Sequence, residues 1–125
     1  MHASHTLDLD SFRRQLSTRE LGRDVRYHES ITSTMDEARD QASRGAPHGA
    51  MVIAEEQTAG RGRRGRQFYS PARENLYFTI VLRLPLAVHR RLPIVLPLAV
   101  ARAIRAEGAD ARAKCPNAIW ITERT

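Results

Sequence analysis

One cysteine, one tryptophan and one lysine in 125 residues set the first limits on this chain. Cys115 alone cannot close an internal disulfide, so the fold must stand without covalent staples, and a single thiol fits a reducing compartment. No long apolar run is present. The longest, from about Leu92 to Ile104, is interrupted by Pro93, Pro97 and Arg102 and falls short of the ~20 residues that a membrane span requires. The first residues reach Asp8 and Asp10 without a continuous apolar segment, which argues against a secretory leader and makes the cytoplasm the expected location. His28, His48 and His89 are scattered without metal-ligand spacing; they are read as surface residues and no metal-ligand set is assigned.

What is there is ordinary for a globular chain. Hydrophobic residues make up 42% and charged residues 27%, so one domain is expected, burying roughly two-thirds of the surface its unfolded form exposes. The formal net charge is +6, and 19 of the 20 basic residues are arginine, Lys114 being the exception. Basicity alone supports a nucleic-acid partner only weakly. Its distribution is more informative, because four arginines fall between Arg61 and Arg66.

Residues 7–26 read as a short amphipathic helix capped near Asp10 or Ser11 and stopped by Gly22, a lead-in too short for a three-helix DNA-binding domain. A second helix starts at Thr34, three residues before Glu37 in capping-box spacing, with Asp36 favourable near the positive end of the helix dipole, and ends at Gly45. Strands are expected at 50–54 and 75–84, the latter rich in aromatic and β-branched residues. A helix from about Leu92 to Glu107 should turn Ile94, Leu98, Ala101 and Ile104 or Arg105 onto a sheet. Two short strands joined at Pro116-Asn117 follow. The alternation argues for an α+β fold, a mixed β-sheet covered by helices.

Between the first two expected strands lies a polar loop of about twenty residues, and loops that long in compact domains are usually functional or disordered. It contains Gly60-Arg61-Gly62-Arg63-Arg64-Gly65-Arg66. Glycines let backbone N–H groups approach an anion closely, and guanidinium forks bind phosphate or carboxylate in bidentate fashion. No Gly-Lys-Ser/Thr follows, so this is not a Walker loop, and no helix follows as a Rossmann fingerprint requires. Taken alone, the loop leaves three readings open: a solvated basic loop, a nucleic-acid contact, or a small-nucleotide site.

The flanks add Ser33-Thr34 upstream, Glu55-Glu56-Gln57 before the glycines, and Phe68-Tyr69-Ser70-Pro71 and Asn75-Leu76-Tyr77 after them. With Lys114-Cys115-Pro116-Asn117, this order and spacing resembles the catalytic domain of biotin protein ligases, from Ser30 to about Ile121. The resemblance implies a fold of the class II aminoacyl-tRNA synthetase and biotin synthetase type. It also implies a two-step reaction: the biotin carboxylate attacks the α-phosphate of Mg2+-bound ATP, and a lysine of a biotin carboxyl carrier protein then takes the biotinyl group from the adenylate. By the same likeness Ser33, Thr34, Gln57, Gly60, Arg61 and Gly62 would hold biotin, and Arg61, Arg63, Arg66, Lys114 and Asn117 would face the adenylate, with Arg63 and Lys114 catalytic. No membrane and no DNA partner is implied. Lipoate ligases of the same fold and a basic nucleic-acid-binding module are the alternatives.

Three positions depart from the family pattern: Met35 for asparagine, Cys115 for tryptophan, and Ala118 for an aspartate beside the lysine. The resemblance divides the chain into a lead-in, 1–26, and the front part of the catalytic domain, 27–125, without a helix-turn-helix domain or C-terminal β-barrel. The fold is therefore expected to be incomplete, from a truncated product or a partial sequence, with apolar surface exposed and activity open.

Overall fold

The computed structural model describes residues 6–67, 69–114 and 118–122. They form two compact units, Met1–Arg83 and Leu84–Thr125.

The first unit opens with α1 (Leu9–Gln15), capped by Asp8, whose carboxylate accepts the Ser11 N–H at 3.0 Å. Both ends differ from the sequence expectation, which placed the cap at Asp10 or Ser11 and the stop at Gly22. The helix ends early because side chains take over the backbone beyond it. The Thr18 hydroxyl donates to the Leu21 carbonyl, and the Arg23 guanidinium donates to the Leu16 and Thr18 carbonyls. Residues expected in the tail of that helix instead begin a strand, β1 (Val25–His28).

β1, β2 (Met51–Ala54) and β3 (Tyr77–Ile80) form a mixed sheet in the order β1-β2-β3. β1 runs parallel to β2, with Val25 opposite Met51 and His28 opposite Ala54. β2 runs antiparallel to β3, with Met51 opposite Ile80 and Ala54 opposite Tyr77. As the central strand β2 is covered on both faces, and Val52, Ile53 and Ala54 are all buried. The parallel connection carries α2 (Thr34–Ser43), which packs Ala38 and Ala42 against Val52, Ala46, Ala50 and Val81.

Two corrections concern histidines read as surface residues. His48 Nδ1 accepts the Arg83 N–H at 2.9 Å and its Nε2 lies 3.4 Å from Glu20, while Arg83 also donates to the Ala42 and Ala46 carbonyls. His48 thus ties the end of the sheet to the α2 exit. His28 Nε2 is buried without a hydrogen-bond partner.

In the second unit a short α3 (Leu86–His89) precedes α4 (Leu92–Ala106) and an antiparallel pair, β4 (Asp110–Lys114) and β5 (Ala118–Thr122). α4 matches its expected span, with Pro93 in its first turn, where a missing N–H costs least, and Pro97 inside the helix, where the bond to the Pro93 carbonyl is lost. It packs on the strand pair through Ala101, which like Ala111 is fully buried. The expected apolar stripe is buried only at that residue. Ile94 and Leu98 are exposed, as are Val95, Leu96 and Val100, so α4 is apolar around most of its circumference. Among the described residues no helix is long and apolar enough to cross a membrane.

Candidate ligand site at the α2 start and the arginine-glycine hairpin

The start of α2 lies one residue from where the capping-box pattern puts it. Ser33, in extended backbone, is the N-cap, and its hydroxyl accepts the Asp36 N–H at a long 3.4 Å. Glu37 does not reach back to close the box; its carboxylate accepts from Gln41 Nε2 at 2.8 Å. Thr34 is therefore the first helical residue, and its N–H is one of the donors that a helix start leaves without an intrahelical partner.

That donor is used across the sheet. The Thr34 N–H donates to Gln57 Oε1 at 2.9 Å, and Thr34 Oγ1 lies 3.1 Å from the same oxygen and 2.9 Å from Thr79 Oγ1. Gln57 Nε2 donates to Ser70 Oγ at 3.2 Å, and the Gln57 N–H donates to the Ser70 carbonyl at 3.1 Å. Ser33, Thr34 and Ser70 are 1%, 4% and 4% exposed, a concentration of buried polar groups that must be satisfied internally. The backbone holds them there by extending the β1–β2 pairing outward. Ile31 bridges Gln57 in parallel and Gln57 bridges Ser70 in antiparallel sense, with Thr58 and Ala59 donating to the Ile31 and Thr32 carbonyls.

The arginine-glycine segment leaves this frame as a tight hairpin. Arg61 bridges Gln67, the Gly62 N–H donates to the Arg66 carbonyl at 2.6 Å, and a single 3-10 turn spans Arg63–Gly65. Arg64, to which the sequence gave no role, carries the turn in the left-handed region with φ 59°. The hairpin reaches back to α2, where the Arg61 guanidinium pairs with the Asp36 carboxylate. Both partners are more than one-third exposed, so the pair is worth only about 0–1 kcal/mol and a ligand anion can displace it. An open cleft of about 580 Å³ borders the network, lined by Gln57, Thr58, Gln67, Tyr69 and Ser70 among others.

The structure thus brings together Ser33, Thr34, Gln57 and the Gly60–Arg66 hairpin, within which Gly60 is buried and Arg66 exposed. Arg63 is placed through its backbone in the 3-10 turn. Lys114 belongs to the second unit, at the end of β4, with its ammonium 4.1 Å from the centre of the Trp120 ring. Cys115 and Asn117 lie outside the described residues, Met35 is exposed on α2, and Ala118 begins β5. Asp36, Ser70 and Thr79 escaped the sequence reading as site residues. Asp36 read as a helix-dipole partner, Ser70 as part of a turn, and Thr79 as a strand former.

A separate polar contact fixes the lead-in to the sheet. Glu55 Oε1 accepts the Leu7 N–H at 2.9 Å and the Tyr27 hydroxyl at 3.0 Å. Burial first, and then the Glu55 carboxylate, push the Tyr27 hydroxyl up to about 12. The folded value exceeds the unfolded one, so this contribution to stability is intact below pH about 10 and is lost as the pH rises toward 12. Ultraviolet titration of the folded chain should show a tyrosine ionising near 12, and Glu55→Gln should move that midpoint down. An unmoved midpoint would contradict the role given to Glu55.

Residues 27–124 match the Biotin/lipoate A/B protein ligase family. The chain belongs to that family. Among curated members, the chain is 35% identical over 109 residues to the bifunctional ligase/repressor BirA of Bacillus subtilis (strain 168), covering 85% of this chain and 34% of that protein. It is 32% identical over 133 residues to the biotin–protein ligase of Homo sapiens, covering 97% of this chain and 18% of that one. The chain therefore spans about a third of the length of the first of these relatives. Among solved structures it resembles the biotin protein ligase of Leishmania major in complex with biotinyl-5-AMP, with TM-score 0.61 and 36% identity over 68% of this chain and 35% of that one. The Aquifex aeolicus biotin protein ligase in complex with biotin and ATP aligns with TM-score 0.66 and 27% identity over 78% and 41%. The α+β class read from the sequence, with helices on a mixed sheet, is the fold of these ligases.

Proposed function

We propose that this chain carries the biotin and adenylate contacts of an ATP-dependent biotin protein ligase, which joins biotin to a lysine of a carrier protein through biotinyl-adenylate. One observation carries the reading: a buried hydroxyl-amide network at the α2 start is joined through Asp36 and Arg61 to an arginine-glycine hairpin. A ureido ring presents both donors and acceptors and can be buried only against matching groups, which Ser33, Thr34 and Gln57 supply. Attack of a carboxylate on a phosphate brings two anions together, and the arginines of the hairpin answer that repulsion. Arg61 is the point of exchange, passing from Asp36 to the ligand's carboxylate or phosphate. Gly60 and Gly62 let the backbone approach it closely.

Arg63, Arg66, Lys114 and Asn117 are assigned to the phosphates by family likeness. Among the described residues no group of three His, Cys, Asp or Glu side chains could hold a metal ion. The expected Mg2+ is left to the ATP phosphates, where that ion is commonly held.

The assay is biotin-dependent exchange of pyrophosphate into ATP. Arg63→Ala and Lys114→Ala should each lower the exchange rate by about 10²–10³, the usual cost of removing one group that stabilises developing charge. Exchange unchanged in both variants, or absent in the parent, would overturn the catalytic assignment to this chain.

A further inference from the structure

The buried network fixes more than the place of Gln57; it fixes the polarity of its amide. A backbone N–H can only donate, so the amide atom 2.9 Å from the Thr34 nitrogen must be the oxygen. Gln57 Oε1 faces a second neighbour, Thr34 Oγ1 at 3.1 Å, which has one proton to give. If that proton goes to Gln57, Thr34 Oγ1 accepts from the Thr79 hydroxyl 2.9 Å away, and all three contacts are satisfied in one direction. Both acceptor sites of Oε1 are then filled. At the other end one Nε2 proton goes to Ser70 Oγ. Of the four hydrogen-bonding valences of this amide, a single Nε2–H remains, and it is on a residue that lines the open cleft.

We infer that Ser70 and Thr79 are positioning residues that lock the Gln57 amide so that it presents one N–H, and no carbonyl, to the ligand. This rests on the biotin reading above, and it assigns Gln57 to the carbonyl oxygen of the ureido ring, not to its N–H groups. Ser70 is 4% exposed and Thr79 partly buried beneath the helix start, so both act through Gln57. The sequence hides them because Thr79 bonds Thr34 across 45 positions and Ser70 bonds Gln57 across 13.

The test uses the full chain, biotin as the ligand, and two readouts. By calorimetry, Ser70→Ala and Thr79→Val should each weaken biotin binding about tenfold, the cost of one lost hydrogen bond to a positioned group. Thr79→Ser, which keeps the hydroxyl, should bind within about twofold of the parent. Nuclear magnetic resonance of the free chain reads the two Gln57 Nε2 protons, which slow rotation about the amide bond keeps distinct. One should show proximity to the Ser70 β-protons, and the two should move toward each other in Ser70→Ala. Parent-like biotin affinity in folded Ser70→Ala and Thr79→Val would overturn the inference, as would parent Nε2 protons with no proximity to the Ser70 β-protons. If the parent does not bind biotin, the biotin reading fails, and the resonance readout still decides whether Ser70 locks the amide. If Ser70→Ala or Thr79→Val does not fold, Thr79→Ser and the parent spectrum carry the decision.

Discussion

Gln57→Leu should reduce biotin affinity about 100-fold or more, the largest single effect expected at the site. Leucine fills similar space but leaves the Thr34 N–H and the Ser70 hydroxyl without the amide they share. The buried Thr34 N–H, left unsatisfied, costs about 1–3 kcal/mol, so stability falls together with affinity. Gln57→Glu separates the two effects. Its carboxylate still accepts from Thr34, which keeps the helix start in place, yet it has no proton to offer Ser70 or a ligand carbonyl. Calorimetry on folded Gln57→Glu should show nearly the same loss as Gln57→Leu; affinity within threefold of the parent would remove Gln57 from the ligand contacts.

Gly49→Ala should be the most destabilising small substitution in the first unit. Gly49 has φ of +89°, and a Cβ there would meet the Glu20 carbonyl oxygen at 2.5 Å and its carbon at 2.8 Å. The neighbouring backbone cannot give way easily, because Gly49 also donates to the Val81 carbonyl at 2.7 Å and accepts the Gly22 N–H at 2.9 Å. Left-handed strain and overpacking together should cost about 2–4 kcal/mol, a fall in melting temperature of roughly 8–15 °C for a chain of this size. Gly45→Ala is the matched control, with φ of +93° and open space around the added methyl, so only strain of about 1–2 kcal/mol applies. Equal melting temperatures for the two variants would contradict the interlocked backbone described here.

Much of the fold was legible wherever a local signal and the tertiary environment agree. The α2 start stood out because Ser33 and Thr34 precede two acids, β2 because a short apolar run sits between turn residues, and α4 because its apolar run ends at Gly108. β1 was illegible. Val25-Arg26-Tyr27-His28 alternates apolar and polar residues over only four positions, too short a run to stand out, and it follows a charged segment that continues the α1 signal. What makes it a strand is its parallel pairing with β2, a partner 26 residues on in sequence. α1 erred in the opposite direction, because helical propensity cannot foresee an Arg23 side chain that captures the Leu16 and Thr18 carbonyls.

The candidate site divides along the same line. Ser33, Thr34, Gln57 and the hairpin arginines were singled out through a family motif whose spacing is visible in one dimension. Asp36 was noticed only for its place in a first helical turn, while its pairing with Arg61 spans 25 positions. Lys114 was singled out by motif as well, and its contact with Trp120 arises from the β4–β5 pairing that places Arg112 opposite Trp120 and Lys114 opposite Ala118. Composition had left nucleic acid as a competitor for the loop. The buried hydroxyl-amide network argues for a small uncharged polar group beside an anion, because a phosphate backbone alone would need only the exposed guanidinium groups.

The most direct test of the acyl-adenylate reading is to titrate this chain with biotin in the presence of ATP and, separately, with a DNA or RNA oligomer, at about 50 and 200 mM salt. The account predicts that biotin with ATP binds, raises the melting temperature and changes little with salt, and that the oligomer does neither. Binding of the oligomer that falls steeply with salt, with no response to biotin and ATP, would contradict it.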